Sequence, residues 1–200
     1  MNMTDVDTCV PIFPLNSVIL PGGRVPLQLF EPRYIDMVSR CLREDRGFVM
    51  ALLQSGAEAG PGPVRFSGTG TRVRVADFRQ LDNGLLGITV EGTDKVSVLR
   101  SWQQADGLNL GDVECLPRES LVRLPERFSE LEEVLRSLCE HPVIRELDMT
   151  VDYSDARHIG WRLTELLPLD RSCKQELAEM QDPLMRLERL QALLHTLEND

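Results

Sequence analysis

The hydrophobic period of this chain changes near residue 118, and no single layer of structure can serve both periods. Before that point apolar residues alternate or run in short blocks. "TRVRVADF" (71–78) alternates Arg and Val, which gives an extended strand one apolar face and one wet face. "FVMALL" (48–53) is an unbroken apolar run of buried-strand length. Asn83-Gly84 precedes the return strand "LLGITVEG" (85–92) and signals a hairpin, because both residues tolerate positive φ. "PIFPL" (11–15), "SVILPGG" (17–23), "TDKVSVLRSW" (93–102) and "GDVECLP" (111–117) complete the set, the third of them opening on a further turn. Many short strands around one core predict a small barrel or sandwich. A single helix interrupts them near 32–46, with Pro32 in its first turn, where a missing N–H costs nothing.

After residue 118 the spacing becomes helical. "ERFSELEEVLRSLCEH" (126–141) places Phe128, Leu131, Val134 or Leu135, and Leu138 on one stripe, and Pro142 ends or kinks it. "SDARHIGWRLTELLP" (154–168) repeats the pattern. "DRSCKQELAEM" (170–180) opens with the capping-box spacing Ser172-x-x-Gln175. "DPLMRLERLQALLHTL" (182–197) opens with Asp182 as N-cap and Pro183 at the first helical position. Its Leu187, Leu190, Leu194 and Leu197 form a seam too short for a coiled coil, so it reads as bundle core. The fold class is therefore α+β, with a mainly β unit over 1–118 and a helical unit over 119–200.

Charge follows the same division. The net charge is -10; residues 1–118 carry 14 acidic and 12 basic side chains, and residues 119–200 carry 18 and 10. An acidic chain repels phosphate backbones, which argues against broad nucleic-acid binding. Of 22 basic residues only Lys95 and Lys174 are lysines. Five scattered cysteines signal neither a disulfide framework nor a zinc site. No apolar run is long enough to span a bilayer, and residues 1–9 are unlike a secretory signal, so a cytoplasmic protein is expected.

The search for chemistry returns little. There is no G-x-x-x-x-G-K-[ST] and no G-x-S-x-G. His141, His158 and His195 are far apart, and no metal or cofactor is expected. Lys95 and Ser97 lie two apart on a strand and so share a face. A Ser–Lys dyad needs a buried lysine, however, and Lys95 lies in a "TDK" turn read as solvated. No catalytic residue is assigned, and the chain is expected not to be an enzyme.

Three stretches in register carry a family likeness. "PIFPLNSVILPGGRVPLQLFEPRYIDMV" (11–38) resembles the start of the Lon protease N-terminal domain family, through Pro11, Pro14, Leu15, Pro21, Gly22, Pro26, Leu27 and the Phe30–Glu31–Pro32–Arg33–Tyr34 corner. "GTGTRVRVADFRQLDNGLLGITVEGTDKVSV" (68–98) is similar to its central hairpin block, and "LTELLPLDRSCKQELAEMQDPLMRLERLQALL" (163–194) to its helical end. The resemblance implies a PUA-like β pseudo-barrel followed by a C-terminal helical bundle. It implies the substrate-recognition and assembly region of an ATP-dependent protease, a region found also in cereblon-like ubiquitin-ligase receptors. Neither the ATPase nor the Ser–Lys protease module is found in these 200 residues. The expected role is a non-catalytic binding module for unfolded or degron-bearing polypeptide, an adaptor beside an ATP-dependent protease or chaperone.

Two readings of the corner compete. In one it is architecture: Pro32 starts the helix, Glu31 caps or faces its N-terminus, Arg33 pairs with a carboxylate, and Phe30 and Tyr34 clamp helix to sheet. In the other Phe30, Arg33 and Tyr34 rim a peptide-holding groove between barrel and bundle. A separate alternative is RNA binding through the PUA-like barrel, with Arg72 and Arg74, near Arg65 and Arg79, as the basic strip.

Overall fold

The computed structural model describes residues 6–58, 60 and 62–197. The chain divides into two compact units, Met1–Pro117 and Arg118–Asp200.

In the first unit the order is β1 (Val6–Leu15), β2 (Arg24–Leu29), α1 (Pro32–Glu44), β3 (Phe48–Ser55), β4 (Arg65–Gln80), β5 (Leu86–Gln103) and β6 (Asn109–Cys115). β1 runs parallel to β3 and antiparallel to β6, while β3–β4 and β4–β5 are antiparallel. β6 also pairs with the second half of β5, so the pairings form a circuit, β5–β4–β3–β1–β6 and back to β5. β2 hangs outside it on the Leu86–Glu91 half of β5. The apolar run of β3 is explained by burial on both faces. Phe48 and Met50 join the main core with Phe13, Tyr34, Met37 and Ile88, whereas Val49 and Ala51 join a smaller cluster with Ile12, Val96 and Val113.

β5 departs from expectation. A turn at Thr93-Asp94 was expected to divide it, yet the chain runs straight through as one strand of 18 residues. Pairing with β4 resumes after a register shift, from Val73–Gly92 to Thr71–Lys95, so the local turn tendency is overridden by partners on both sides. Gly92 sits where this strand meets the Pro21–Gly23 turn. Its N–H donates to the Gly23 carbonyl and its carbonyl accepts from the Gly22 N–H. A Cβ at residue 92 would lie 2.3 Å from the Leu20 carbonyl oxygen. Lys95, expected in solvent, is buried in mid-strand at 6% exposure.

The second unit holds a 3₁₀ turn (Glu126–Phe128), α2 (Ser129–Glu140), α3 (Pro142–Arg145), α4 (Ala156–Leu166), α5 (Arg171–Glu179) and α6 (Pro183–Leu197). α4 packs against α2, α5 and α6 around Phe128, Leu131, Leu135, Ile159, Leu163 and Leu177. Leu187 and Leu190 are buried in this core and Leu194 packs against it, so the leucine seam faces its own unit; the Leu197 side chain lies outside the described residues. Pro142 does not merely stop α2 but begins α3, its ring occupying the first helical position. Asp182 caps α6 as expected, accepting from Leu184 and Met185 N–H. For α5 the cap is Asp170 and not Ser172. The Asp170 carboxylate accepts from the Cys173 N–H, and the Ser172 hydroxyl donates to that same carboxylate.

One buried ion pair organises this unit. Glu119 and Arg186 are 1% and 0% exposed at their side chains. Glu119 Oε2 and Oε1 accept from Arg186 Nη1 and Nη2 at 2.8 and 2.6 Å, and Trp161 Nε1 donates to Oε1 at 3.2 Å. Arg186 Nε donates to the Leu177 carbonyl at 2.9 Å, and Nη2 also reaches the Met180 carbonyl. Breaking such a pair from one side leaves a charge buried alone. Arg186→Ala is therefore expected to cost about 3–5 kcal/mol in urea unfolding. The double change Glu119→Leu/Arg186→Met should cost less than that single one. In the first unit, Gly92→Ala should cost about 1–3 kcal/mol by the same measurement, because the new methyl meets backbone and not a flexible side chain.

Candidate functional site

The corner after β2 is fixed by what comes before and after it. Leu29 is buried and anchors the strand end. Glu31 is the N-cap of α1 in extended backbone, and Pro32 supplies the first helical residue. The Glu31 carboxylate makes no capping bond; it pairs instead with Arg33 Nη2 at 2.8 Å. Arg33 Nη1 donates to the Gly107 carbonyl at 2.7 Å and Nη2 to the Gly60 carbonyl at 3.3 Å. One planar guanidinium thus ties the corner to two loops distant in sequence. Gly107 has φ 85°, a left-handed conformation that favours glycine, and a Cβ there would stand 2.7 Å from Arg33 Nη1 and push the guanidinium aside. The Arg33 side chain is 10% exposed, and its Nε is buried without a hydrogen-bond partner.

The three residues singled out in the sequence are divided by the fold. Tyr34 is turned inward: it is 4% exposed and packs tilted against Phe13, with ring centroids 4.3 Å apart. Burial pushes its phenol up from the ordinary value, and the cation of Arg33, 4.8 Å from the ring, pulls the other way. A ring placed there supports the helix from below and is not available to rim a groove. Phe30 is the opposite case, 56% exposed between buried Leu29 and the Glu31–Arg33 pair. Arg33 borders a cleft of about 530 Å³ with Glu31, Asp36, Gln103 and Asp106, and Phe30 is not among the residues lining it. All of this cleft belongs to the first unit.

Phe78 is a second exposed aromatic, at 64%, that the sequence pattern concealed. A register shift between Val75 and Asp77 places Phe78 opposite Ile88. The pairing of β4 with β3 ends at Val73, so β3 does not flank this part of β4, which pairs with β5 alone among the described strands. The signal was present in the phase break of "VADF", where two residues separate Val75 from Phe78.

Strand addition to these open edges is discouraged. Gly92 bonds Gly23, and by alternation Val25–Val90 and Leu27–Ile88 are the hydrogen-bonded pairs of β2 with β5. Pro26 therefore faces its missing donor outward, a common edge protection. On β4 the Phe78 N–H is already taken by Asp77 Oδ1 at 2.8 Å.

The arginine strip is largely neutralised. Arg72 pairs with Asp7, while Arg74 and Arg24 both bond Glu91, at 3.0 and 3.1 Å. Burial works to raise the Glu91 carboxyl, but the two guanidiniums outweigh it and hold it below the usual range. Arg65 and Arg79 are exposed. Lys95 and Ser97 do share β5, opposite Thr71 and Thr69. Among the described residues no group of three or more His, Cys, Asp or Glu could hold a metal ion, and no helix is long and apolar enough to cross a membrane. Since Arg33 joins three backbone segments while nearly buried, Arg33→Ala is expected to destabilise the protein by about 2–3 kcal/mol in thermal or urea unfolding.

Comparison with known proteins agrees with this architecture. Residues 9–196 match the family model for the ATP-dependent protease La (LON) substrate-binding domain. The crystal structure of a Lon N-terminal domain protein from Xanthomonas campestris is 33% identical and superposes with a TM-score of 0.75, covering 93% of this chain and 98% of that one. The N-terminal domain of Mycobacterium avium complex Lon protease, at 16% identity and TM-score 0.61, shares the fold. Among curated proteins, cereblon of Gallus gallus is 30% identical over 123 residues, covering 58% of this chain and 26% of that protein. Lon protease of Anaeromyxobacter dehalogenans (strain 2CP-C) is 25% identical over 163 residues, covering 71% and 19%. The chain thus spans only a fifth to a quarter of these two relatives. With a match over almost its full length, this chain belongs to the LON substrate-binding domain family.

Proposed function

We propose that this chain is a non-catalytic recognition module for unfolded or degron-bearing polypeptide, acting in the cytoplasm as an adaptor beside an ATP-dependent protease or chaperone that supplies the chemistry. The closed strand circuit is read as a PUA-like pseudo-barrel and the second unit as a helical bundle. The observation that carries the reading is the match of residues 9–196 to a substrate-binding domain family. The geometry of the corner supports it. Phe30 offers a large apolar face at a position held on both sides, by buried Leu29 and by the Arg33 clamp. A rigid exposed aromatic loses little freedom on binding, which favours it as an anchor for apolar side chains of a flexible chain. Phe78 offers a second such face. Arg33 acts as a positioning residue and Tyr34 as its support from the core.

The test is a titration of the purified chain into a fluorescently labelled, permanently unfolded protein, read by anisotropy, with an RNA of equal length as control. Saturable binding to the unfolded polypeptide alone is expected. Phe30→Ala should weaken it about tenfold, or about 1.4 kcal/mol, without lowering the melting temperature, since the side chain is exposed. Binding to RNA alone, or Phe30→Ala and Phe78→Ala both without effect, would overturn the assignment.

A further inference from the structure

The segment Val151–Asp155 lies across the second unit just before α4. Val151 and Tyr153 pack onto the helical core, and the Arg136 guanidinium stands 3.9 Å from the centre of the Tyr153 ring. The C-terminal end of this strap is firmly tied. The Leu124 N–H donates to the Ser154 carbonyl at 2.7 Å, and the Ala156 N–H to the Val122 carbonyl at 2.9 Å. Asp155 caps α4 through the Arg157 N–H and also binds the Arg157 guanidinium, which reaches the Glu119 carbonyl. The other end has a different fastening. The Asp152 N–H donates to His158 Nδ1 at 3.1 Å. The Asp152 carboxylate is occupied locally, accepting from the Ser154 N–H and hydroxyl at 2.9 and 2.7 Å.

A ring nitrogen can accept a hydrogen bond only while it carries no proton. The bond from Asp152 therefore fixes His158 as the neutral tautomer with its proton on Nε2. We propose that His158 is an acid-sensitive latch: protonation of its Nδ1 abolishes the acceptor for the Asp152 N–H, frees the Val151–Tyr153 end of the strap, and uncovers the apolar surface beneath it. The ring sits in the first turn of α4, where the helix dipole also disfavours a cation. The charged groups around it are Asp152 and Asp155 from the strap and Arg157 and Arg162 from α4; the Trp161 ring packs 5.7 Å away. Burial pushes the imidazole below its ordinary value; the two carboxylates oppose this and the two guanidiniums reinforce it.

The sign follows from linkage. A histidine whose folded value is depressed favours the closed strap fully above its unfolded value, near 6.5, and that contribution is lost as pH falls below it. Each unit by which the closed strap lowers the imidazole value becomes about a tenfold rise in the opening constant at low pH. The test is backbone amide exchange of Asp152 and Tyr153 in the full chain between pH 7.5 and 5, corrected for intrinsic rates, alongside His158→Gln. Glutamine offers an acceptor that does not titrate. The latch predicts that opening rises on acidification in the wild type and stays flat in His158→Gln. An equal rise in both proteins, or none in the wild type, would overturn it. A ring titration by NMR in the wild type serves independently of the variant: a His158 value at or above 6.5, or a proton on Nδ1 at pH 7.5, would also overturn it.

Discussion

β5 has to serve two sets of neighbours, and the first unit exists in its present form only because one strand can do so. Its first half pairs with β2 and the far end of β4, and its second half closes onto β6. The strand passes between these duties at Gly92, where the Leu20 carbonyl comes so close that any side chain would collide with it. The Pro21–Gly23 turn is bonded to that same glycine, so the turn that launches β2 and the passage of β5 are one contact seen from two sides. β2 in turn delivers the chain to the Phe30–Tyr34 corner. The placement of the exposed aromatic thus descends from a close backbone approach some sixty residues further along.

Loops and corners are then fastened by arginine. Arg33 gathers the carbonyls of Gly60 and Gly107 while paired with Glu31. Arg186 gathers those of Leu177 and Met180 while paired with Glu119, and Arg157 reaches the Glu119 carbonyl while paired with Asp155. In each case a carboxylate neutralises the charge while N–H groups of the same guanidinium bond backbone oxygens, although Arg33 Nε finds no partner. A lysine offers a single ammonium without the planar fork. The near absence of lysine from the sequence therefore has a structural correlate, although Lys174, donating to the Glu165 carbonyl at 2.7 Å, shows the simpler version of the same device.

What the sequence made legible was local. Pro32 and Asp182-Pro183 start helices where they stand, because capping and proline geometry involve only a few neighbouring residues. The Asn83-Gly84 hairpin was readable for the same reason, although of the two only Gly84 takes positive φ, at 80°; the apolar run of β3 was readable because burial on both faces leaves no polar alternation. Three features were not. The turn chemistry of Thr93-Asp94 was overruled by pairing on both sides of β5. Ser172 yielded the cap of α5 to Asp170, a carboxylate that accepts from both the backbone and the serine. Arg33 showed a charge needing a partner, but two of its partners are backbone carbonyls, and a carbonyl has no sequence signature; the Asp106-Gly107 turn announces itself without saying what approaches it. For the candidate site the composition of the corner was visible, but not its orientation. Phe30 and Tyr34 are four apart, yet a strand end and a helix start meet between them, so neither period relates their directions.

That division of the corner matters for how recognition can work. Had Phe30, Arg33 and Tyr34 all faced solvent, the corner would be a loose patch whose ordering would be charged against every binding event. Instead Tyr34 spends its apolar area on the core and Arg33 spends its hydrogen bonds on the loops. Phe30 alone is left outward, between buried Leu29 and the Arg33 clamp. The open sheet edges work in the same sense. Pro26 withholds a donor from the β2 edge and Asp77 occupies the Phe78 N–H, so backbone pairing with a passing strand is disfavoured at the places where the sheet is open. Under the proposed recognition role, that combination of exposed side chains and closed backbone lets the module touch unfolded chains without being drawn into sheet with them.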